Sequence, residues 1–493
     1  MTVRAGAGPD SHQRPVRVAS LLTVAILVGS LAAAAAVNPA VFAVVAAAVA
    51  ITAVWVWPAR ALELGVVLVL TIRPWVDIFS ERRAGLGPFA VNPAVLIGLA
   101  VLAIALVLAL QRQRAGLPLW PDRRLATAHL FLIAGYGVAC ISGVRLFGAT
   151  GFAEGAREVI RIASVIGAFL LVCWWAGSSP IRQRRAWGYL FAGASIPVVV
   201  AAWQYATGTG YLDTPGLNRL QGTLSHPNAF GQYLVPFVLL AVNGAVSRKG
   251  SRRLWLLGGA LVLSWFIVHS YSRTVLLVLV VGLVALPLIR ARRFGARAVL
   301  QTIAIAGFLV VVGGVLARDA LRERFDNLAL GRSALDAAMS GNSENSYQWR
   351  LINWSVLISM GLSHPVAGHG AGMTTVLNPI VNTDNGVPYN AHNDFVRFFF
   401  EGGLVGLAAY VIYAVLLCAW SVRRARTSSP EGGRSFAVAA AWLALLLLNG
   451  GNTELSLATA SLYSLYGMLA LQATEPGGEA AAPQPVLRPG LTA

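Results

Sequence analysis

Apolar runs long enough to cross a bilayer recur along nearly the whole chain, from "VASLLTVAILVGSLAAAAAV" near the start to "LATASLYSLYGMLALQ" near the end. No water reaches the middle of a hydrocarbon core about 30 Å thick, so each run must close its own backbone hydrogen bonds as a helix. The chain is 57% hydrophobic and 12% charged over 493 residues, far more apolar than a soluble core requires. It therefore reads as all-α: a polytopic integral membrane protein of about 12 to 14 transmembrane helices, with one long outer loop that contains short helices. Only the sequence after residue 473 has the composition of a disordered tail.

Spans are expected at about 17–37, 40–57, 61–73, 90–110, 126–144, 161–177, 187–206, 229–246, 254–270, 273–289, 299–316, 395–420, 435–449 and 454–472. The basic, alanine-rich N-terminus reads as an uncleaved first helix rather than a signal peptide. Alternate connections such as "QRQRAGLPLWPDRR", "SSPIRQRRA", "SRKGSRR" and "RARRFGAR" carry a large excess of arginine over acid, and the others nearly balance. The positive-inside rule then puts both termini in the cytoplasm, and the net charge of +18 becomes a sign of topology and of attraction to membrane lipids. Nucleic acid is not an expected partner. Four regions follow: an N-terminal bundle (1–316), a long outer loop (317–394), C-terminal helices (395–472) and a cytoplasmic tail (473–493). Within the loop, "RDALRERFDNLAL" suits an interfacial helix, and "SYQWRLINWSVLISMGLSHP" a helix capped by Ser346 and stopped before Pro365.

Four polar stretches face the outer side. In "GLNRLQGTLSHPNAFGQYL", Arg219, His226 and Asn228 precede a span, although Ser225, Pro227 and Asn228 suit a turn and helix cap equally well. In "VHSYSRTVLLVLVVG", Arg273 interrupts a hairpin on a face where the positive-inside rule gives it no reason to exist, which favours an anion-holding role over snorkelling. Arg350 leads the glycine-rich "VAGHGAGM", where Gly368, His369 and Gly370 offer backbone N–H groups to a phosphate or sugar. Finally, "YNAHNDFVRFFFEGG" sets His392 at the mouth of an apolar helix, with Asn393 a candidate cap. Arg397 and Glu401, four residues apart inside that helix, should line a polar cavity. In "GFAEGAREVIRIAS", Glu154, Arg157, Glu158 and Arg161 read as ordinary surface pairs, with Arg161 near enough to a span mouth to reach the same cavity.

These tools define a chemistry. The outer loops hold no D-x-D or other close acidic pair and the chain no P-loop or H-E-x-x-H helix, so no metal site and no cofactor are expected. Cys140, Cys173 and Cys418 lie in apolar runs without metal-binding spacing. Arginine forks suit phosphate oxygens, and a neutral histidine suits orientation or deprotonation of a hydroxyl. Together they fit transfer from a lipid diphosphate, with arginines stabilising the leaving group.

"YSRT" at the start of a span, "WRLINWSVLISMGLSHPVAGHGAG" in the loop and "NAHNDFVRFFFEGGLVGLAAY" at the next span resemble the O-antigen ligase and polymerase superfamily of bacterial surface polysaccharide assembly. The resemblance covers about residues 215–415. It implies a metal-independent membrane glycosyltransferase that takes a glycan from undecaprenyl diphosphate at the outer face of the plasma membrane and passes it to a glycan or lipid acceptor. Carried over, Arg273 and Arg350 match the arginines that engage the donor diphosphate, and His392 matches the essential histidine. The spacing of Arg350 and Gly361 matches the R-x10-G pattern of the polymerases. Thr274 departs from the small residue usual after the first arginine, and fourteen spans exceed the number expected of a ligase. Ligase and polymerase both stay open. A flippase for lipid-linked sugar is the rival from another class, and would show paired repeats with broken helices near the midplane.

Overall fold

The computed structural model describes residues 57–79, 84–86, 89–91, 93–214, 217–291, 296–316, 346–381, 388–427, 434–448 and 460–475. The two expected spans before residue 57 and the interfacial helix of the long loop lie outside the described residues. Seven of the described helices are long and apolar enough to cross a membrane, so the protein is an all-α, multi-pass membrane protein.

The first described helix, α1 (Pro58–Val67), passes into a π-helical turn (Leu68–Ile72) and then α2 (Arg73–Val76). Pro74 is the reason for the wider turn, because its ring nitrogen cannot donate to the carbonyl of Leu70 four residues back. That carbonyl packs instead against Gly193 of a neighbouring helix. A short hairpin, β1 (Ala84–Leu86) with β2 (Phe89–Val91), leads to α3 (Pro93–Arg114).

The next element, α4 (Arg123–Ala176), joins two expected spans and the loop between them. Asp122 caps it by accepting from the Arg124 N–H at 2.7 Å. Gly148, with φ of 55°, breaks it into two arms. The Cys140 thiol lies 3.8 Å from the carbonyl of Gly155, fifteen residues on, where a straight helix would separate them by about 22 Å. The expected loop at 145–160 is thus helical, and only one residue makes the reversal.

Further elements are α5 (Pro180–Thr207), a second hairpin of β3 (Tyr211–Thr214) and β4 (Leu217–Arg219), α6 (Pro227–Val246), α7 (Gly250–His269), α8 (Arg273–Ala291) and α9 (Ala296–Leu316). After them come α10 (Ser346–Gly361), the single turn α11 (Thr374–Leu377), α12 (Asp394–Thr427), α13 (Arg434–Leu448) and α14 (Ala460–Thr474). α6 and α14 are sheathed by the others, whereas α3, α5 and α7 present exposed side chains such as Leu99, Trp203 and Trp255.

α12 was expected as one span from 395 to 420, yet Gly403 (φ 62°) breaks it as Gly148 breaks α4. The ring of Phe398 stacks on Tyr410 at 4.5 Å, twelve residues away, a contact that a straight helix about 18 Å long over that distance forbids. The longer arm, 404–427, runs antiparallel to the first arm of α4: Ala409 meets Gly135, Tyr413 meets His129, and the Trp420 indole donates to Asp122 at 2.8 Å. The short arm, 394–402, folds back alongside, with Phe398 on Tyr136 and Gly402 on Ala139. One end of the bundle therefore holds the arginine-rich connections, and the other holds both reversals together with β3, β4 and α10.

Candidate active site

Arg219 closes β4 and is buried. Its Nε donates to the carbonyl of Ser270 at 3.0 Å and its Nη2 to Asn228 Oδ1 at 2.9 Å. His226 caps α6: its Nδ1 accepts the N–H of Asn228 at 3.1 Å, which leaves Nε2 to carry the proton of the neutral ring. The cap of this helix is therefore His226 rather than Ser225 or Asn228, and Asn228 braces an arginine.

The Leu220 N–H donates to the carbonyl of His269, at 3.0 Å, and so ties β4 to the end of α7. Tyr271 then adopts φ of 50° and releases Arg273 as the first residue of α8. Arg350 comes from α10, where its Nη1 donates to Thr274 Oγ1 at 3.2 Å. The hydroxyl that departs from the expected small residue thus has a definite partner.

His392 arrives on a segment strapped to α10. Asn353 and Trp354 lie three and four residues beyond Arg350 and so share its helix face. Asn353 donates to the carbonyl of Asn390 at 3.0 Å, and the Trp354 indole to that of Ala391 at 2.7 Å. Asn378 donates to Asn353 Oδ1 and to the carbonyl of Tyr389. Held this way, His392 takes φ of 49°, its ring 5.6 Å from that of Trp349. Tyr271 and His392 are the two non-glycine residues of positive φ among those described, and both border this cluster. Such backbone costs energy and persists only where the surroundings impose it. Asn393 is the cap of α12, accepting the N–H groups of Phe395 and Val396.

The electrostatics tie the groups together. Burial lowers the pKa of Arg350, and the like charges of Arg273 and Arg219 lower it further. His392 keeps part of its surface exposed, yet burial first, then Arg350 and His226, push it down to about 3. Three arginines and two histidines from β4, α6, α8, α10 and the segment before α12 therefore share one field. The imidazole of His392 is neutral within it.

A second charged group lies alongside. Arg397 Nη2 meets Glu158 at 2.7 Å and its Nε meets Glu401 at 3.0 Å; Arg161 meets Glu158 at 3.0 Å, and Thr374 donates to Glu401 at 2.7 Å. Arg397 and Glu401 are 3% and 4% exposed, so they are sealed into an ion-pair network rather than laid along an open cavity. Glu158 is not the surface residue that its local spacing suggested. Arg157 and Glu154 do form a surface pair, but the reversals at Gly148 and Gly403 bring Arg397 against Glu158 from 239 positions away.

The glycine-rich loop also differs from expectation. The N–H of Gly368 donates to His364, that of His369 to Phe400, that of Gly370 to Glu401 and that of Ala371 to Ala139. Its donors bind protein carbonyls rather than facing a phosphate. A Cβ at Gly370 would fall on the backbone of Gly143, so the glycines let this loop close over both helix reversals. His369 is buried with its ring stacked 4.6 Å from Phe400, and burial lowers its pKa. It stands apart from the arginine cluster. Sequence reading missed Trp349, Asn353, Thr374 and Asn378; for Asn353, the i, i+3 spacing from Arg350 was the available signal.

Among the described residues no group of three or more histidine, cysteine or acidic side chains is arranged to hold a metal ion. Residues 258–411, just under a third of the chain, match the family model described as O-Antigen ligase. That stretch contains Arg273, Arg350, His392, Arg397 and Glu401, while Arg219, His226, Asn228 and Arg161 precede it. No curated protein matches the chain.

Proposed function

We propose that this chain, a multi-pass membrane protein of the O-antigen ligase and polymerase superfamily, transfers a glycan from undecaprenyl diphosphate to an acceptor hydroxyl at the outer face of a bacterial plasma membrane. The observation that carries this reading is the convergence of Arg219 and Arg273 on Arg350, which with His226 faces a neutral His392. Gathering like charges raises their energy, and a diphosphate placed among them lowers it. Arginine forks match phosphate oxygens and stay charged at any working pH.

In the reaction, the bond between the anomeric carbon and the diphosphate oxygen breaks while the acceptor oxygen bonds to that carbon. The arginines hold the departing charge, as a divalent cation does in other transferases. His392 takes the acceptor's proton. A base whose pKa is about 3 is a weak one, but the charge of Arg350 is one reason for that value. A bound diphosphate offsets this charge and moves His392 back towards the range where histidine works. The donor thereby readies the base, and water meets an unready histidine when the donor is absent. Glu158, Arg397 and Glu401 act through His392 by holding its helix.

Reconstitution of the full chain in liposomes with a labelled undecaprenyl diphosphate glycan and an acceptor tests this scheme. Transfer should persist in chelator; activity lost to chelator and restored by a divalent cation would refute the metal-free scheme. Near-normal transfer by both Arg273→Lys and Arg350→Lys would remove the diphosphate assignment.

One observation favours the polymerase form of the reaction. Arg350 lies in the second turn of α10 and Gly361 ends it, and a Cβ at Gly361 would come within 2.8 Å of the Phe399 ring, in the arm that follows His392. The length of the product separates the two: a ladder of repeats marks a polymerase, and a single transfer marks a ligase.

A further inference from the structure

A cavity of about 440 Å³ lies between the first arm of α4 and the turn at 364–368. Val138, Ile141, Val366 and Ala367 form its apolar walls, and Arg145 and His364 are its charged and titratable residues. The hydroxyl of Ser142 donates to the carbonyl of Gly368 at 2.5 Å and so closes the inner side. Arg145 is exposed and makes no ion pair among the described residues. Glu401, Gly402 and the Gly368 turn stand between this groove and the arginine cluster.

Depth identifies the occupant. The first arm of α4 is unbroken from Arg123 to Arg145, about 33 Å at 1.5 Å per residue, against a hydrocarbon core of about 30 Å. With Arg123 in one headgroup layer, Arg145 lies in the other, and Val138 and Ile141 fall inside the hydrocarbon. Ile141 and Val366 are each 64% exposed, apolar surface that lipid rather than water covers at this depth. A guanidinium at headgroup level above an apolar slot suits a phosphate carried on an acyl chain.

We propose that this groove binds an anionic phospholipid of the leaflet on the site side, its phosphate on Arg145 and an acyl chain along Val138 and Ile141. The lipid packs against the turn whose backbone meets Glu401, so its occupancy braces the arm that carries His392. The binding itself does not depend on the proposed transfer reaction.

The test uses the full chain in nanodiscs containing equal phosphatidylglycerol and phosphatidylcholine, with retained lipid read by native mass spectrometry. Phosphatidylglycerol should be retained in preference, and Arg145→Gln should lower its retention about fivefold, the effect of one basic residue at a membrane surface. Arg145→Lys should keep most of the preference, and Ala367→Trp should displace the lipid with the charge intact. Equal retention by wild type and Arg145→Gln overturns the proposal. Displacement by water-soluble glycerol phosphate also overturns it, because a headgroup anion alone would then suffice. A diazirine on the acyl chain of phosphatidylglycerol reads the site without any variant: labelling of peptides from 138–146 and 362–368 supports the groove, and labelling confined to other helices refutes it.

Discussion

Two charged clusters lie side by side in this protein and are built on opposite principles. Around Glu158, two carboxylates meet two guanidiniums, so the charge closes on itself, buried except at the partly exposed Arg161. Around Arg350, like charges oppose one another, and the neighbouring backbone adopts positive φ at Tyr271 and His392. The first arrangement is stable with nothing added. Under the proposed function the second lowers its energy when the donor diphosphate arrives, which is how a binding site differs from a brace. The brace supports the site: Gly403 uncouples the arm 394–402 from the longer helix, and the pairs to Glu158 and Thr374 fix where that arm points.

The sharpest way to break this contrast is to disturb each cluster and ask which property fails. Glu158→Ala leaves two guanidiniums, buried Arg397 and part-buried Arg161, with Glu401 as the one remaining carboxylate and should cost about 3 kcal/mol of stability, seen as a lowered unfolding transition in detergent. Arg350→Lys should leave that transition in place and lower turnover by about 10²–10³-fold, the cost of one misplaced donor to a developing oxyanion. If Arg350→Lys instead destabilised the fold as Glu158→Ala does, the two clusters would be one structural unit. His392→Ala should lower turnover about 10²-fold with donor affinity retained, measured as a fall in kcat at constant KM. Thr274→Ala removes a single hydrogen bond to Arg350 and should cost about 1 kcal/mol, near fivefold in donor binding.

The smallest effect is the shape of a pH profile. His392 in the free protein titrates at about 3, below the ordinary histidine value, so above that pH it is already neutral. kcat/KM should therefore show no acid limb from it between about pH 5 and 8. The donor complex carries added negative charge, which favours the protonated ring, so kcat should begin to fall at a higher pH than kcat/KM does. An acid limb in kcat/KM centred near ordinary histidine would mean that water reaches the ring freely.

Hydropathy located the long apolar helices among the described residues because each apolar run must satisfy its backbone alone. It could not find the reversals. Gly148 and Gly403 are two of fifty glycines, and the segments around them are apolar on both sides of the turn. From those two residues the other misreadings follow. Glu158 looked solvated because Arg161, at i+3, already satisfied a local rule, while Arg397 lies far along the chain. The glycine-rich loop looked open because its packing surface, the two reversals, was not visible. Arg219, Arg273, Arg350 and His392 were legible as a set for the opposite reason. Each polar group stood against an apolar neighbourhood on one face of the topology, and an isolated charge at a span mouth needs an account whatever the tertiary fold. Asn393 was legible as a cap because capping is decided within three residues.

The reversal at Gly403 has a consequence for biosynthesis. Arg219, Arg273 and Arg350 are all synthesised before His392, and the arm that seats His392 is anchored by Glu158, made long before it. A nascent chain halted anywhere short of α12 carries the three arginines but no placed His392. Under the proposed function, incomplete insertion products are then inert towards lipid-linked sugar, and the chemistry is gained in a single late event of synthesis.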